Sequence, residues 1–185
     1  MDRQRTVLLA LAIALLCLPM PGFVASAQQV NALCIGTFHS PKGFGLSIQT
    51  QTDDISFDSI SLTADLRGVV DGEYSKPGFK ATATRDLIFS SFVREGMDID
   101  LYAGPGLTAG YVHDADAPLQ LMAGVAGAFG ARFTFERHFT VCLELGCDLA
   151  LRIWQDERFG NIKLSTYKSG ICDVALPQVL INWRF

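Results

Sequence analysis

Histidine, paired cysteines, basic charge and long apolar runs are all scarce in this sequence. Only three histidines occur, His39, His113 and His138, so general acid–base catalysis has few candidates. No Cys-x-x-Cys pair is present, which removes the common zinc knuckle and dithiol motif. Acidic residues outnumber basic ones, 19 to 15, for a net charge of −4. That excludes a general nucleic-acid binder, which carries a basic footprint. Hydrophobic residues make up 49% of the chain, yet no run reaches the roughly 20 residues that a spanning helix needs. Repeats, low-complexity tracts and domain linkers are missing too.

The N-terminus reads as a secretory signal over residues 1–27. Arg3 and Arg5 make a basic start, Val7 to Leu18 is apolar, and Pro19, Pro21 and Gly22 break the run. Ala25-Ser26-Ala27 is a small-residue cleavage site before Gln28. Removing Asp2, Arg3 and Arg5 takes away one net positive charge, so the −4 of the full chain becomes −5. Residues 28–185 are then one domain in an exported compartment, where disulfides are permitted. Cys142 and Cys147 are five apart and face opposite sides of one strand. Cys34 and Cys172 would join the first and last regions of a closed sheet. The alternative is free thiols acting as small apolar residues.

What the sequence does have is period-two alternation. It predicts eight strands: Val30 to Phe38, Gly43 to Gln51, Phe57 to Val70, Gly78 to Val93, Met97 to His113, Pro118 to Glu136, Phe139 to Ile153, and Val174 to Phe185. The seventh is the cleanest, with Phe139, Val141, Leu143, Leu145, Cys147, Leu149, Leu151 and Ile153 on one face. Arg85 interrupts the apolar face of the fourth. The long segment Glu157 to Cys172 reads as a loop. Connections alternate in length: Thr52 to Ser56, Glu95-Gly96 and Arg137-His138 are short, whereas Asp71 to Pro77 and Glu157 to Cys172 are long. Short turns at one end and long loops at the other suit a transmembrane barrel. Aromatics collect at strand ends: Phe57, Phe89, Phe133, Phe135, Phe139, Trp183 and Phe185 at the short-turn rim, and Phe44, Phe79 and Tyr111 at the other. The rival is a soluble eight-stranded lipocalin-like barrel. Strands longer than the usual 3 to 10 residues, and charges on the small, Gly-rich face, favour the membrane version.

Eight strands leave an interior just wide enough for side chains. The inward list holds Asp65, Arg67, Asp86, Arg94, Asp98, Asp100, Arg132, Glu144, Asp148, Arg152 and Arg184. Buried ions are costly unless paired. Glu144, Asp148 and Arg152 are four apart on one strand, about 13 Å at ~3.3 Å per residue, so their partners must lie on neighbouring strands. A turn centred on His138 sets Arg132 opposite Glu144. One centred on Gly96 sets Arg94 opposite Asp98. The functional alternative to a salt-bridged plug is a charged pore. The sequence supports no metal site and no cofactor: His113, Asp114 and Asp116 read as a polar turn, and His39-Ser40 as solvated surface. Lys163, Tyr167 and Lys168 could meet sugar or phosphate outside.

Alternation, inward glycines and the strand ending Ile181, Trp183, Phe185 carry a family likeness. Residues 28–185 resemble the small porin-family outer-membrane β-barrels of Gram-negative envelopes, of the outer-membrane protein A transmembrane-domain kind. Leu101 to Tyr111 is similar to the central strand of members from gut-type Gram-negative anaerobes. The resemblance implies an all-β, eight-stranded antiparallel up-and-down barrel in the outer membrane. It also implies a last strand read by the barrel-insertion machinery through Ile181, Trp183 and Phe185. Lipid is the expected surroundings, and the barrel is expected to be a monomer. The expected role is structural or surface interaction through the outer loops, with a small pore as the alternative and a lipid-modifying enzyme as the second. Deacylases in this class space His and Ser by one residue on a strand, whereas His39 and Ser40 are adjacent, so no enzyme is expected.

Overall fold

A strand apolar on one face and polar or glycine-rich on the other cannot expose both faces to one solvent, and a closed sheet separates them. In a computed structural model the described residues are 32–41, 43–66, 69, 77–112, 120–136, 138–155, 162–167 and 175–185. They form β1 (Leu33–Ser40), β2 (Gly43–Asp53), β3 (Ser56–Asp65), β4 (Gly78–Arg94), β5 (Met97–Val112), β6 (Gln120–Phe135), β7 (Phe139–Gln155), β8 (Ile162–Thr166) and β9 (Ala175–Arg184). The segments 1–27 and 113–119, with Arg67, Lys168 and Cys172, lie outside the described residues.

Each strand from β1 to β7 pairs antiparallel with the next. β9 lies between β7 and β1, with Cys147 opposite Ala175 and Cys34 opposite Arg184. The eight strands therefore close into an up-and-down barrel, and the first strand meets the last, as the alternation predicts. β1 ends at Ser40 rather than Phe38, because Ser40 pairs with Gly43 across a tight outer turn. β3 ends at Asp65, short of the expected Val70.

The ninth strand is a correction. β8 falls inside the segment expected to be a loop and pairs with the far end of β7, from Leu151↔Thr166 to Gln155↔Ile162. β7 thus has β9 beside its first half and β8 beside its last five residues. Ile162 and Leu164 alternate with Lys163 and Ser165, so the period-two signal is present but short.

Two turns set the register. Glu95-Gly96 is a two-residue connection, and Arg94 pairs directly with Met97. Gly96 takes φ = 78°, a region that favours glycine. The β6–β7 turn has its tip between Phe135 and Phe139, which face each other. Glu136 holds φ = 47° there, and the His138 N–H donates to the Phe135 carbonyl at 3.0 Å.

Candidate functional site

The inward faces bring side chains from all eight barrel strands together, and they stack in layers. Toward the short turns lies Arg132 on β6. Its guanidinium donates to Asp100 Oδ2 from Nη2 at 2.8 Å and from Nε at 3.2 Å, and to Gln51 Oε1 from Nη1 at 3.1 Å. It also lies 4.4 Å from the Phe57 ring centroid, a cation–π distance. Ser91 Oγ donates to the second Asp100 oxygen at 2.7 Å. Arg132 and Asp100 are direct cross-strand partners of β5 and β6.

The middle layer is a mixed core. Phe38, Phe57, Tyr102, Cys142 and Leu180 pack together, with Ile88 and Ala128 against them. Phe57 meets Tyr102 edge-on at 4.9 Å. The Tyr102 hydroxyl donates to Glu144 Oε2 at 2.6 Å, and Gln49 Nε2 donates to Cys142 Sγ at 3.6 Å. Asp86 is fully buried beside Thr84, whose hydroxyl donates to its Oδ2 at 2.8 Å. Above this layer Lys80 of β4 forms an ion pair with Asp148 of β7. A cavity of about 20 Å³ lies beside the pair, with Glu144 and Gln178 also on its wall. At the loop end Val112, Met122, Ala150 and Tyr167 form a second apolar cluster. The Tyr167 N–H donates to the Ala150 carbonyl at 2.8 Å, which brings this aromatic over the barrel mouth. Arg152 Nε donates to Ser165 Oγ at 3.2 Å.

Several expected positions need correction. Arg132 does not oppose Glu144. The β6–β7 tip falls one residue earlier than expected, between Phe135 and Phe139, and sets Arg132 opposite Cys142 and Glu144 opposite Gly130. The two residues share the inward face but find other partners, Asp100 and Tyr102. Arg94 is not an interior residue and cannot pair with Asp98. The register shifts between Ile88 and Ser90, leaving Phe89 as an extra residue on β4. A bulge of this kind swaps the faces of everything beyond it. Past it Asp98 opposes Val93, Phe92 turns outward, and Arg94 follows it out. Phe57 is not a rim aromatic; by parity with Ser59 it points inward, and it is 0% exposed. Lys80 is the charge that the inward list omits. It alternates with Phe79 and Ala81, so the same rule places it inside.

The other expected residues divide by place. Asp65, Asp98 and Arg184 sit on the inward face at strand ends, with Arg184 opposite Cys34. Cys34 is a free thiol, as are Cys142 and Cys147. His39 Nε2 lies 3.0 Å from Thr37 Oγ1 on the outer face, while Ser40 Oγ donates to the Gly43 carbonyl. The adjacent His and Ser therefore point to opposite sides of the sheet. No group of three or more His, Cys, Asp or Glu that could hold a metal occurs among the described residues.

The outward faces decide the surroundings. Those of β5 and β6, and of β7 as far as Ile153, are apolar or glycine throughout. Leu46, Phe89, Phe129 and Leu149 on the outer wall are each 58–59% exposed. Phe79 stacks with Tyr111 near the loop end, and Phe135 meets Phe139 at the short-turn end. Soluble monomers rarely expose a contiguous apolar patch above a few hundred Å², and this one wraps most of the molecule. This is a membrane-spanning β-barrel. The barrel has the eight-stranded antiparallel architecture of small outer-membrane proteins, with lipid outside and ions inside. Ile181, Trp183 and Phe185 all point outward at the short-turn rim, 38%, 52% and 74% exposed.

No protein-family model matches the chain, and no curated protein does. Among solved structures it is similar to a major outer membrane protein of Thermus thermophilus, at 12% identity and TM-score 0.45, covering 85% of this chain and 100% of that one. It is also similar to Ail, the attachment invasion locus protein of Yersinia pestis, at 11% identity and TM-score 0.45, covering 84% of this chain and 97% of that one.

Proposed function

We propose that the protein is an outer-membrane barrel closed to bulk solutes, with a structural or surface-interaction role at its loop end. The observation that carries this reading is the filled interior. The cavity beside Lys80 and Asp148, about 20 Å³, has room for about one water molecule. Side chains from opposite walls meet across the lumen, as Lys80 meets Asp148 and Arg132 meets Gln51. The Tyr167 cluster adds an apolar cover at the loop end. In planar bilayers the refolded protein is expected to give no steady porin-sized conductance. A stable large conductance would establish the pore reading instead.

In this reading the chain is exported by a signal cleaved after Ala27, lives as a monomer in outer-membrane lipid, and has no catalytic role. The outward Ile181, Trp183 and Phe185 present the apolar stripe that insertion machinery would grip. Deleting Phe185 removes one end of that stripe and no interior side chain. Assembly in cells is expected to fall while refolding in detergent continues, measured by the heat-modifiable gel shift. Unchanged insertion in cells would count against this use of the last strand.

A further inference from the structure

A circuit of the barrel climbs. From Leu143 on β7, direct cross-strand partners lead through β9, β1, β2, β3, β4, β5 and β6 and return to β7 at Ile153. The row thus comes back ten residues beyond its start, at 153 against 143. Eight strands with that stagger tilt by about 40° from the barrel axis, taking ~3.3 Å per residue and ~4.8 Å between strands. Each residue then rises ~2.5 Å along the axis, and each step to the next strand changes height by ~3 Å. Heights on different strands can therefore be compared.

The apolar wall is uneven. β5, β6 and β7 each carry eight outward positions that are apolar or glycine, from Met97 to Tyr111, from Leu121 to Phe135 and from Phe139 to Ile153. At this tilt each run makes about 35 Å of wall. The opposite side is shorter. On β1 the outward residues are Leu33 and Ile35, and then Thr37 and His39. On β2 they are Phe44, Leu46 and Ile48, and then Thr50. β3 adds Ile60, Leu62 and Ala64. From Phe44 down to Thr50 the height is about 15 Å. The apolar band of a membrane barrel is about 25 Å tall, so β5–β7 overshoot it and β1–β3 fall short.

We propose that the β1–β3 face is a binding surface for lipids with short acyl chains, and that the bilayer is thinner beside it than beside β5–β7. Thr37 and His39 above, and Thr50 below, mark where the polar edge of the bilayer meets this wall. A long chain laid here would cover those side chains with hydrocarbon and take them from water, which is costly for a polar group. A short chain ends before it reaches them. His39 shares one ring nitrogen with the Thr37 hydroxyl at 3.0 Å. Its second nitrogen also needs a polar partner, and water supplies one where the bilayer is thin. Thinning costs little per Å of mismatch, so two lipid thicknesses around one barrel are within reach.

The proposal rests on the membrane reading, and the test separates the two. Trp154→Phe and Trp183→Phe remove both native tryptophans, and one reporter is introduced by Leu46→Trp on β2 or by Leu145→Trp on β7. These positions share a height: Leu46 leads through Thr37 and Ile181 down to Val141, and Leu145 lies four residues above Val141. The full mature protein is refolded in vesicles of equal dimyristoleoyl and dierucoyl phosphatidylcholine, with quenching bromine on the chains of one or the other. The ratio of short-chain to long-chain quenching is expected to be about threefold higher on β2 than on β7, a modest factor because mismatch is cheap per Å. Thr37→Leu, His39→Leu and Thr50→Leu together heighten the apolar face and should erase the difference. The two-reporter comparison decides even if that triple variant does not fold. Equal ratios at the two reporters, or a difference that survives the triple variant, overturn the proposal. So does a β2 reporter that neither lipid quenches, which would assign the face to a second copy. A heat-modifiable gel shift in the same vesicles reports the barrel itself. Its absence would defeat the membrane reading, whereas a folded barrel with equal ratios defeats this proposal alone.

Discussion

Gly36→Val is expected to abolish the folded, heat-modifiable form of the protein. Gly36 lies on the inward face of β1 between Ser47 of β2 and Asn182 of β9. A Cβ added there would overlap the Ile181 carbonyl oxygen and the Asn182 Cα, both backbone atoms of the partner strand. Backbone cannot step aside without opening the seam that closes the barrel. Ordinary overpacking costs about 1–3 kcal/mol, and this case exceeds it because six β1–β9 pairs depend on the same approach. Gly127→Ala is the control. Its added Cβ would meet only the Gly104 carbonyl, at 3.5 Å. It should keep the wild-type gel shift. A folded Gly36→Val barrel would show that the seam is not closely packed.

Lys80→Met is expected to cost about 3–5 kcal/mol in urea unfolding from lipid vesicles, the usual penalty for stranding one member of a buried ion pair. The Lys80 and Asp148 side chains are only 12% and 10% exposed. The penalties should be unequal. Glu144 borders the same cavity as Lys80 and Asp148. Removing Lys80 leaves Asp148 and Glu144, two acidic side chains of one strand, on the cavity wall without the lysine, whereas Asp148→Asn leaves Lys80 with Glu144 nearby. Lys80→Met should therefore be the more damaging change, and Lys80→Met with Asp148→Leu should recover most of the loss. Equal single-variant costs would show that Glu144 does not share the lysine.

Much of this architecture is legible from alternation, because a strand with one apolar face declares its two sides residue by residue. Tyr102, Glu144 and Asp148 point inward as that rule requires, and Leu143, Leu145 and Leu149 point outward. The rule fails where counting fails. One extra residue at Phe89 reverses every face beyond it, so Arg94 moves from the lumen to the lipid side. Turn positions are equally unforgiving. A β6–β7 tip one residue earlier than expected changes who opposes whom, which is why Arg132 stands opposite Cys142 rather than Glu144. β8 is hidden in the sequence because five residues with two apolar positions look like loop until a partner strand is present. Lys80 and Phe57 are a different case: alternation assigns both to the lumen, against the habit of placing lysines at surfaces and aromatics at rims. Arg85 is visible as an exception, but its partner Asp58 comes only with the β3–β4 register.

The closing seam also carries a kinetic consequence. Most neighbours in this barrel are joined by hairpins, so their pairing is local and rapid. The β1–β9 contact joins residues near the two ends of the domain, Cys34 with Arg184 and His39 with Val179. A contact so distant in sequence gains little until the intervening hairpins have shortened the path between its ends. The chain should therefore pass through an open, curled sheet whose two margins are β1 and β9. In that interval each margin carries unpaired amides and carbonyls, and a neighbouring copy could pair with them as readily as the proper mate. The hazard of misassembly is concentrated in the last six pairs to form.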